Sequence, residues 1–375
     1  MLKNVQALRA IAALLVVFEH LNFGLEKSDP GARLAFFAFR TSGNFGVDLF
    51  FVISGFIMVV TNWKAFGNLQ ASPKFLIKRF VRIYPPYWFV LLPILLGFFV
   101  NARTFMHAHI GNTDILSSVL LLPQVTAPLL MVSWTLTFEL LFYIIFACIL
   151  PLNRVYLVPL LAAWAILEII MFVIFHRSLN PVLNLLGAPL PIEFIMGAII
   201  GTLYSRAMMP KPEAVGLVGS ITAIGIWFGI AVPGLTIDPT QNDLARVLEY
   251  GIPAALLVYA AVGLERRANL AVNDKLVYLG DSSYALYLWH MPVFVVLNIF
   301  AMRLHVHGVV ADFLLQLLML ASAVTVAIIV YRYVERPMTV RLNQLFRVGS
   351  RQRTFSRSSQ FETSTAMAEC RSIEK

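Results

Sequence analysis

Leu8-Arg9-Ala10-Ile11-Ala12-Ala13-Leu14-Leu15-Val16-Val17-Phe18-Glu19-His20-Leu21 is apolar enough to enter a bilayer, yet Arg9 stands at one end and Glu19-His20 at the other. An ionisable group inside a membrane span is costly and is kept with a partner or a task. Arg9 and His20 are eleven residues apart. At about 100° per residue this is close to three full turns, so both lie on one face, roughly 16 Å apart along the axis. One helix face thus offers a fixed cation near one membrane surface and an imidazole near the other. Glu19 lies about 100° round the helix from His20, so carboxylates on other spans are the better partners for the imidazole.

Apolar runs of this length recur along the chain. Its 375 residues are 59% hydrophobic and 13% charged, with a mean hydropathy of +0.78. A soluble domain carries about a quarter charged residues. The pattern predicts an all-α membrane protein, a bundle of about ten transmembrane helices. The expected spans are 5–22, 45–62, 84–101, 133–151, 155–175, 191–207, 215–234, 248–264, 283–302 and 310–331. The N-terminal run is expected to remain as a span rather than a cleaved signal, since it holds Arg9, Glu19 and His20 and no small-residue cleavage site follows it. Ile115 to Met131 is apolar but broken by Pro123 and Pro128, and reads as an interfacial or re-entrant piece.

The net charge of +9 invites a nucleic-acid reading. Its distribution argues against one. With ten spans both termini lie on one side. That side carries twelve Lys and Arg in its loops and nine more from Arg332 onward, against seven opposite, with Arg246 among the seven. The positive-inside rule then places both termini in the cytoplasm, so much of the positive charge is topological. Residues 1–337 form the membrane domain. Residues 338–375 form a cytoplasmic, largely disordered basic tail, with 347–372 rich in Ser, Thr, Arg and Gln and suited to anionic lipid headgroups. Cys148 and Cys370 have neither metal-site nor redox spacing. The pairs His107/His109 and His305/His307 read as solvated external loops, and no metal is expected.

Orientation gives depth. The first span runs outward, so His20 sits in the outer third. The second runs inward from Gly46-Val47-Asp48, and the fourth inward from Ser133-Trp134-Thr135-Leu136-Thr137-Phe138-Glu139, which puts Asp48 and Glu139 at a similar depth to His20. A histidine oriented by a carboxylate is the usual general base acting on a hydroxyl. The competing account is that each charged group pairs only to hold helices together. A second cluster, Lys74 to Pro86, is cytoplasmic. Arg79 and Arg82 are i, i+3 on it, and with Arg9 they suit phosphate oxygens; anchoring by the positive-inside rule is the plainer account for any one of them. A third cluster, Ser282 to Pro292, puts His290 near mid-membrane, where Pro292 frees a backbone carbonyl one turn back that His290 would help to satisfy. Ser54, Ser133, Trp134, Tyr287 and His290 are expected to line the pocket or bind the acceptor, with interface anchoring the default for Trp134.

These segments together resemble the acyltransferase-3 family of integral membrane acyltransferases, from about Lys3 to Pro337. The carrying motifs are Arg9 with His20, GVDLFFVISGF (46–56), KRFVRIYPPYW (78–88), SWTLTFELLFY (133–143), SSYALYLWHMPV (282–293) and YRYVERP (331–337). The opening LKNVQALRAIAALLVVFEHL is most similar to the branch that acetylates exopolysaccharides of the succinoglycan type. The resemblance implies a multi-pass protein of the bacterial plasma (inner) membrane that transfers an acyl group, most often acetyl, from cytoplasmic acyl-CoA to a sugar hydroxyl. The acceptor would be an exopolysaccharide or its lipid-linked precursor. Acetyl-CoA is implied as donor substrate, with no tightly bound cofactor. Membrane lipid and polysaccharide-synthesis machinery are the implied partners. His20 would be the catalytic base or an acyl carrier, with Asp48 or Glu139 orienting it, and Arg9, Arg79 and Arg82 would hold the CoA phosphates. Two other classes stay open at this point: a transporter or flippase of a glycan or lipid-linked sugar, and a non-catalytic subunit of a polysaccharide-export assembly.

Overall fold

The computed structural model describes residues 2–21, 42–105, 114–176, 178–230, 244–268, 272–306 and 308–346. Every regular element among them is helical. The helices are α1 (Lys3–His20), α2 (Ser42–Asn62), α3 (Ala71–Phe105), α4 (Ile115–Leu120), α5 (Trp134–Ile149), α6 (Leu157–Phe175), α7 (Pro181–Leu186), α8 (Pro191–Ser205), α9 (Pro212–Ile230), α10 (Leu244–Arg246), α11 (Ile252–Ala268), α12 (Asp274–Asp281), α13 (Ser283–Arg303), α14 (Val309–Val330) and α15 (Arg336–Leu345). Single π-turns, Val247–Gly251 and Tyr331–Glu335, join α10 to α11 and α14 to α15.

Among the described residues, eight helices are long and apolar enough to cross a bilayer, and the chain is a multi-pass membrane protein. They include α2, α3, α5, α6, α11 and α13, the α7–α8 pair, and α14 with its continuation. The two other expected spans coincide with α1, which carries Lys3, Arg9 and Glu19, and with α9, a shorter apolar helix; neither is among the eight. Burial separates the centre from the rim. In α2, 67% of the span is buried, against 22% in α6, whose Ile166, Leu167, Ile170 and Val173 face outward as lipid-contacting side chains do.

The centre is close-packed where α2 crosses α8. A Cβ on Gly197 would sit 1.9 Å from the Val52 carbonyl oxygen, and one on Gly55 2.0 Å from that of Phe194. The two backbones touch, as small residues in membrane helices allow. On the same pattern α12 abuts α1, with Gly280 against the Gln6 carbonyl.

The 115–131 segment, expected to be interfacial or re-entrant, holds the short helix α4 (Ile115–Leu120), packed against α3. Asp114 caps α4 by accepting from the Ser117 N–H at 3.1 Å and the Ser117 hydroxyl at 2.5 Å, bonds that hold its carboxyl below the usual carboxylate range. At the other end, carbonyls that no further helical turn would satisfy accept from α3: Tyr87 OH to Ser118 O at 2.5 Å, Trp88 Nε1 to Val119 O at 3.0 Å and Tyr84 OH to Leu120 O at 2.9 Å. The helix α3 runs for 35 residues through Pro85, Pro86 and Pro93. Beside the Pro85-Pro86 interruption the Tyr284 hydroxyl donates to Ile83 O at 3.0 Å.

The domain boundary read at residue 337 falls inside α15. Residues 347–375, His107, His109 and His307 lie outside the described residues.

Candidate active site

A cavity of about 240 Å³ lies among α1, α2, α3, α5 and α13. Arg9 enters from α1, Arg79 and Arg82 from α3, Ser54 from α2, Glu139 and Tyr143 from α5, and Tyr284 and Tyr287 from α13. The spacing explains the α3 pair: residues i, i+3 share a helix face. The sequence expectation that Arg9, Arg79 and Arg82 gather at one place is therefore met by the geometry. Arg79 lies over the rings of Phe75 and Tyr143, 5.4 and 5.6 Å from their centroids.

Anionic balance comes from Glu139, Glu335 and, at Arg9, Asp281. Glu139 accepts from the Tyr143 hydroxyl and, at 3.4 Å, from Ser54. Glu335 ends the π-turn of the YRYVERP segment, is 7% exposed, and faces Arg82 and Arg9 electrostatically while accepting from the Ala285 N–H in the first turn of α13. Tyr287 is fixed by its hydroxyl, which donates to Val132 O at 2.8 Å and meets Thr135 Oγ1 at 2.7 Å. Among the residues that line the cavity, three guanidinium groups stand against one carboxylate, Glu139, with several hydroxyls, an excess of positive charge facing an open space.

His20 stands elsewhere, at the far end of α1. Its Nδ1 donates to Val16 O at 2.8 Å, and its ring neighbour is His290, 5.2 Å away between centroids. The carboxylates expected behind His20 are engaged differently. Asp48 is fully buried and accepts from Arg246 Nε at 3.0 Å; Arg246, 1% exposed, also donates to Asn44 O at 3.3 Å. Glu193 of α8 is buried against the same pair. Glu139 belongs to the arginine cavity. Depth along the spans placed these groups at one level, but azimuth sends Asp48 toward α10 and Glu139 toward α3.

Three further sequence expectations are refined. Arg246, counted among the outer loop charges, is an interior ion-pair partner, because α10 and its π-turn fold it onto Asp48. Trp134 is half-buried, with the Arg246 guanidinium 5.9 Å from its ring, and Ser133 beside it is buried. The carbonyl freed by Pro292 is that of Leu288, one turn back, whereas His290 Nδ1 donates to Leu286 O at 3.1 Å. Sequence reading missed Arg246, Glu193, Tyr143 and Glu335. The first was visible only as a charge to be counted, and the last stood unremarked inside a quoted motif. Among the described residues no group of three His, Cys, Asp or Glu side chains is placed to hold a metal.

Residues 2–332 match the family described as "Acyltransferase domain". The chain belongs to that acyltransferase-3 family and is an acyltransferase. Among curated relatives, the exopolysaccharide production protein ExoZ of Rhizobium meliloti (strain 1021) is 32% identical over 257 residues, 67% of this chain and 76% of that protein. Acyltransferase MdmB of Streptomyces mycarofaciens is 25% identical over 322 residues, 78% of this chain and 79% of that protein. The peptidoglycan O-acetyltransferase OatA of Listeria monocytogenes is 30% identical over 96 residues, 25% of this chain and 13% of that protein. No solved structure matches the chain.

Proposed function

We propose that this acyltransferase moves an acetyl or other short acyl group from cytoplasmic acyl-CoA to a sugar hydroxyl of an exopolysaccharide or its lipid-linked precursor, in the bacterial inner membrane. On this reading α1 and α9 complete ten spans with both termini in the cytoplasm. The observation that carries it is the arginine-lined cavity within the membrane domain of a known acyltransferase family. The names of the relatives, one for exopolysaccharide production and one for peptidoglycan O-acetylation, support a glycan acceptor.

The donor's phosphates are polyanionic and suit Arg9, Arg79 and Arg82, whose forked donors match phosphate oxygens. The pantetheine arm is long and flexible, and extends along the face of α1 that Arg9 shares with His20. At His20 the Nδ1–H is committed to the Val16 carbonyl, which leaves Nε2 with a free lone pair. That lone pair takes the proton of the acceptor hydroxyl as its oxygen attacks the thioester carbon. The C–S bond breaks, and the thiolate leaves and recovers the proton as CoA-SH. Asp48 acts on this reading through Arg246, holding α2 against α10, and Glu139 sets the polarity of the donor cavity.

The test is transfer of label from acetyl-CoA to a glycan acceptor by membranes containing the protein, with His20→Ala alongside. The expected result is transfer by the wild-type protein and none by a variant that remains inserted and folded. Full activity of His20→Ala ends the role given to this residue.

A further inference from the structure

Two imidazoles from different helices meet at the end of α1. His20 and His290 stand with ring centroids 5.2 Å apart and planes inclined at 53°. Both are fixed in the same way. Each Nδ1 bonds to the carbonyl four residues earlier on its own helix, His20 to Val16 at 2.8 Å and His290 to Leu286 at 3.1 Å. A carbonyl oxygen only accepts, so Nδ1 carries the hydrogen in both rings and each Nε2 holds a bare lone pair. For His290 this is costly. The residue has no exposed surface, and its buried Nε2 has no hydrogen-bond donor among the described residues. A buried acceptor left unpaired loses its full hydration, which a phenyl ring of similar shape at this position would not. Among the described residues, the titratable group facing His290 from a packed element is His20. From its own helix the rings of Tyr287 and Phe294 stand 6.2 and 5.8 Å away, and the Tyr287 hydroxyl is already committed to Val132 and Thr135.

We propose that His290 is the proton partner of His20: a positioning residue whose Nε2 shares the proton that His20 takes from the acceptor hydroxyl. The inference rests on the transfer function proposed above. In the resting pair both Nε2 atoms are unprotonated. The acceptor O–H bond breaks, its proton goes to His20, and the alkoxide oxygen forms the new C–O bond as the C–S bond breaks. The proton is held between the two imidazoles until the departing thiolate takes it. Atoms and charge balance without another reactant: acyl-CoA and a hydroxyl give an ester and CoA-SH. Sharing stabilises the singly protonated pair, so the pair takes up its first proton at a higher pH than an isolated His20 at the same site.

The experiment compares wild type, His290→Phe and His290→Gln. The kcat is expected to fall about 10²-fold in both variants, the size of a general acid–base contribution, with KM for acetyl-CoA and for the acceptor unchanged within twofold. The acid limb of the kcat–pH profile is expected to move to lower pH in both. A fall in kcat that is equal at every pH, or activity within twofold of wild type, overturns the proposal. Independently of turnover, ¹⁵N-histidine-labelled protein in micelles is titrated, with the His20 signal assigned by its loss in His20→Ala. The His20 midpoint is expected to drop in His290→Phe, and an unmoved midpoint overturns the pair. If the wild-type protein transfers no acyl group yet this midpoint still drops, the proton-sharing pair stands and the transfer function is the part that fails.

Discussion

Two charge clusters lie within the same bundle, and they are built on opposite terms. Around Asp48 the charges are closed: Arg246 at 3.0 Å neutralises it, both side chains are at most 1% exposed, and Glu193 packs against them. Around Arg9, Arg79 and Arg82 the charges are open, facing a cavity of about 240 Å³ that Glu139 also lines, with Glu335 and Asp281 offsetting them from outside the lining. A closed pair needs nothing from outside and holds helices at a fixed azimuth. An open cationic cluster in an apolar medium leaves attraction unspent, and an anionic ligand supplies the missing charge.

The largest effect is expected from breaking the closed cluster. Removing one partner leaves an uncompensated buried charge, which costs about 3–5 kcal/mol. Arg246→Met leaves Asp48 and Glu193 buried without their guanidinium, and should therefore lower the thermal unfolding temperature in detergent sharply and reduce recovery of folded protein. Adding Asp48→Leu and Glu193→Leu to Arg246→Met should restore most of the loss, because well-packed apolar groups need no partner. An unfolding temperature unchanged in Arg246→Met would remove the distinction between the clusters.

The open cluster should respond in the reverse sense. On the proposed function, Arg79→Ala or Arg82→Ala each removes a charge-assisted bond to phosphate worth about 1.5–3 kcal/mol. The KM for acetyl-CoA should rise by about tenfold or more, with KM for the acceptor unchanged and the unfolding temperature little altered. Steady-state kinetics in reconstituted vesicles reads all three quantities. Equal rises in both KM values would mean that these arginines serve topology and not the donor.

The difference between the clusters also marks what the sequence could express. Hydropathy and the positive-inside count depend only on residue order, so the helical bundle and the gathering of Arg79 and Arg82 on one face were legible. Arg9 and His20 on one face of α1 followed from helical period alone. Pairing between spans was not. Asp48 and Glu139 share a depth with His20, but partner choice depends on helix rotation, which for α2 is set by the close approach of Gly55 to the Phe194 carbonyl and of Gly197 to that of Val52. Arg246 looked like a loop charge because its helix is three residues long and continues as a π-turn. The contact of His20 with His290 needed two helices at once, and the nearby Pro292 drew attention to a different carbonyl.

Glu335 gives the finest test, because it touches both terms of the comparison. Its carboxylate accepts from the Ala285 N–H at the start of α13 and faces Arg82 and Arg9, while among the described residues its Oε2 has no hydrogen-bond partner. It thus acts as an internal stand-in for an anion, partly neutralising the cationic cluster before a ligand arrives. In Glu335→Gln the side-chain carbonyl can still accept from Ala285, so the cap on α13 is retained while the negative charge is lost. The net positive charge facing the cavity rises, and competition for the two guanidinium groups falls. The KM for acetyl-CoA should therefore decrease, by about two- to fivefold, or roughly 0.5–1 kcal/mol. The gain should shrink with added salt, as expected of an electrostatic term that the medium can screen. An increase in KM would show instead that Glu335 orders the arginines for the donor, placing it with the closed kind of cluster.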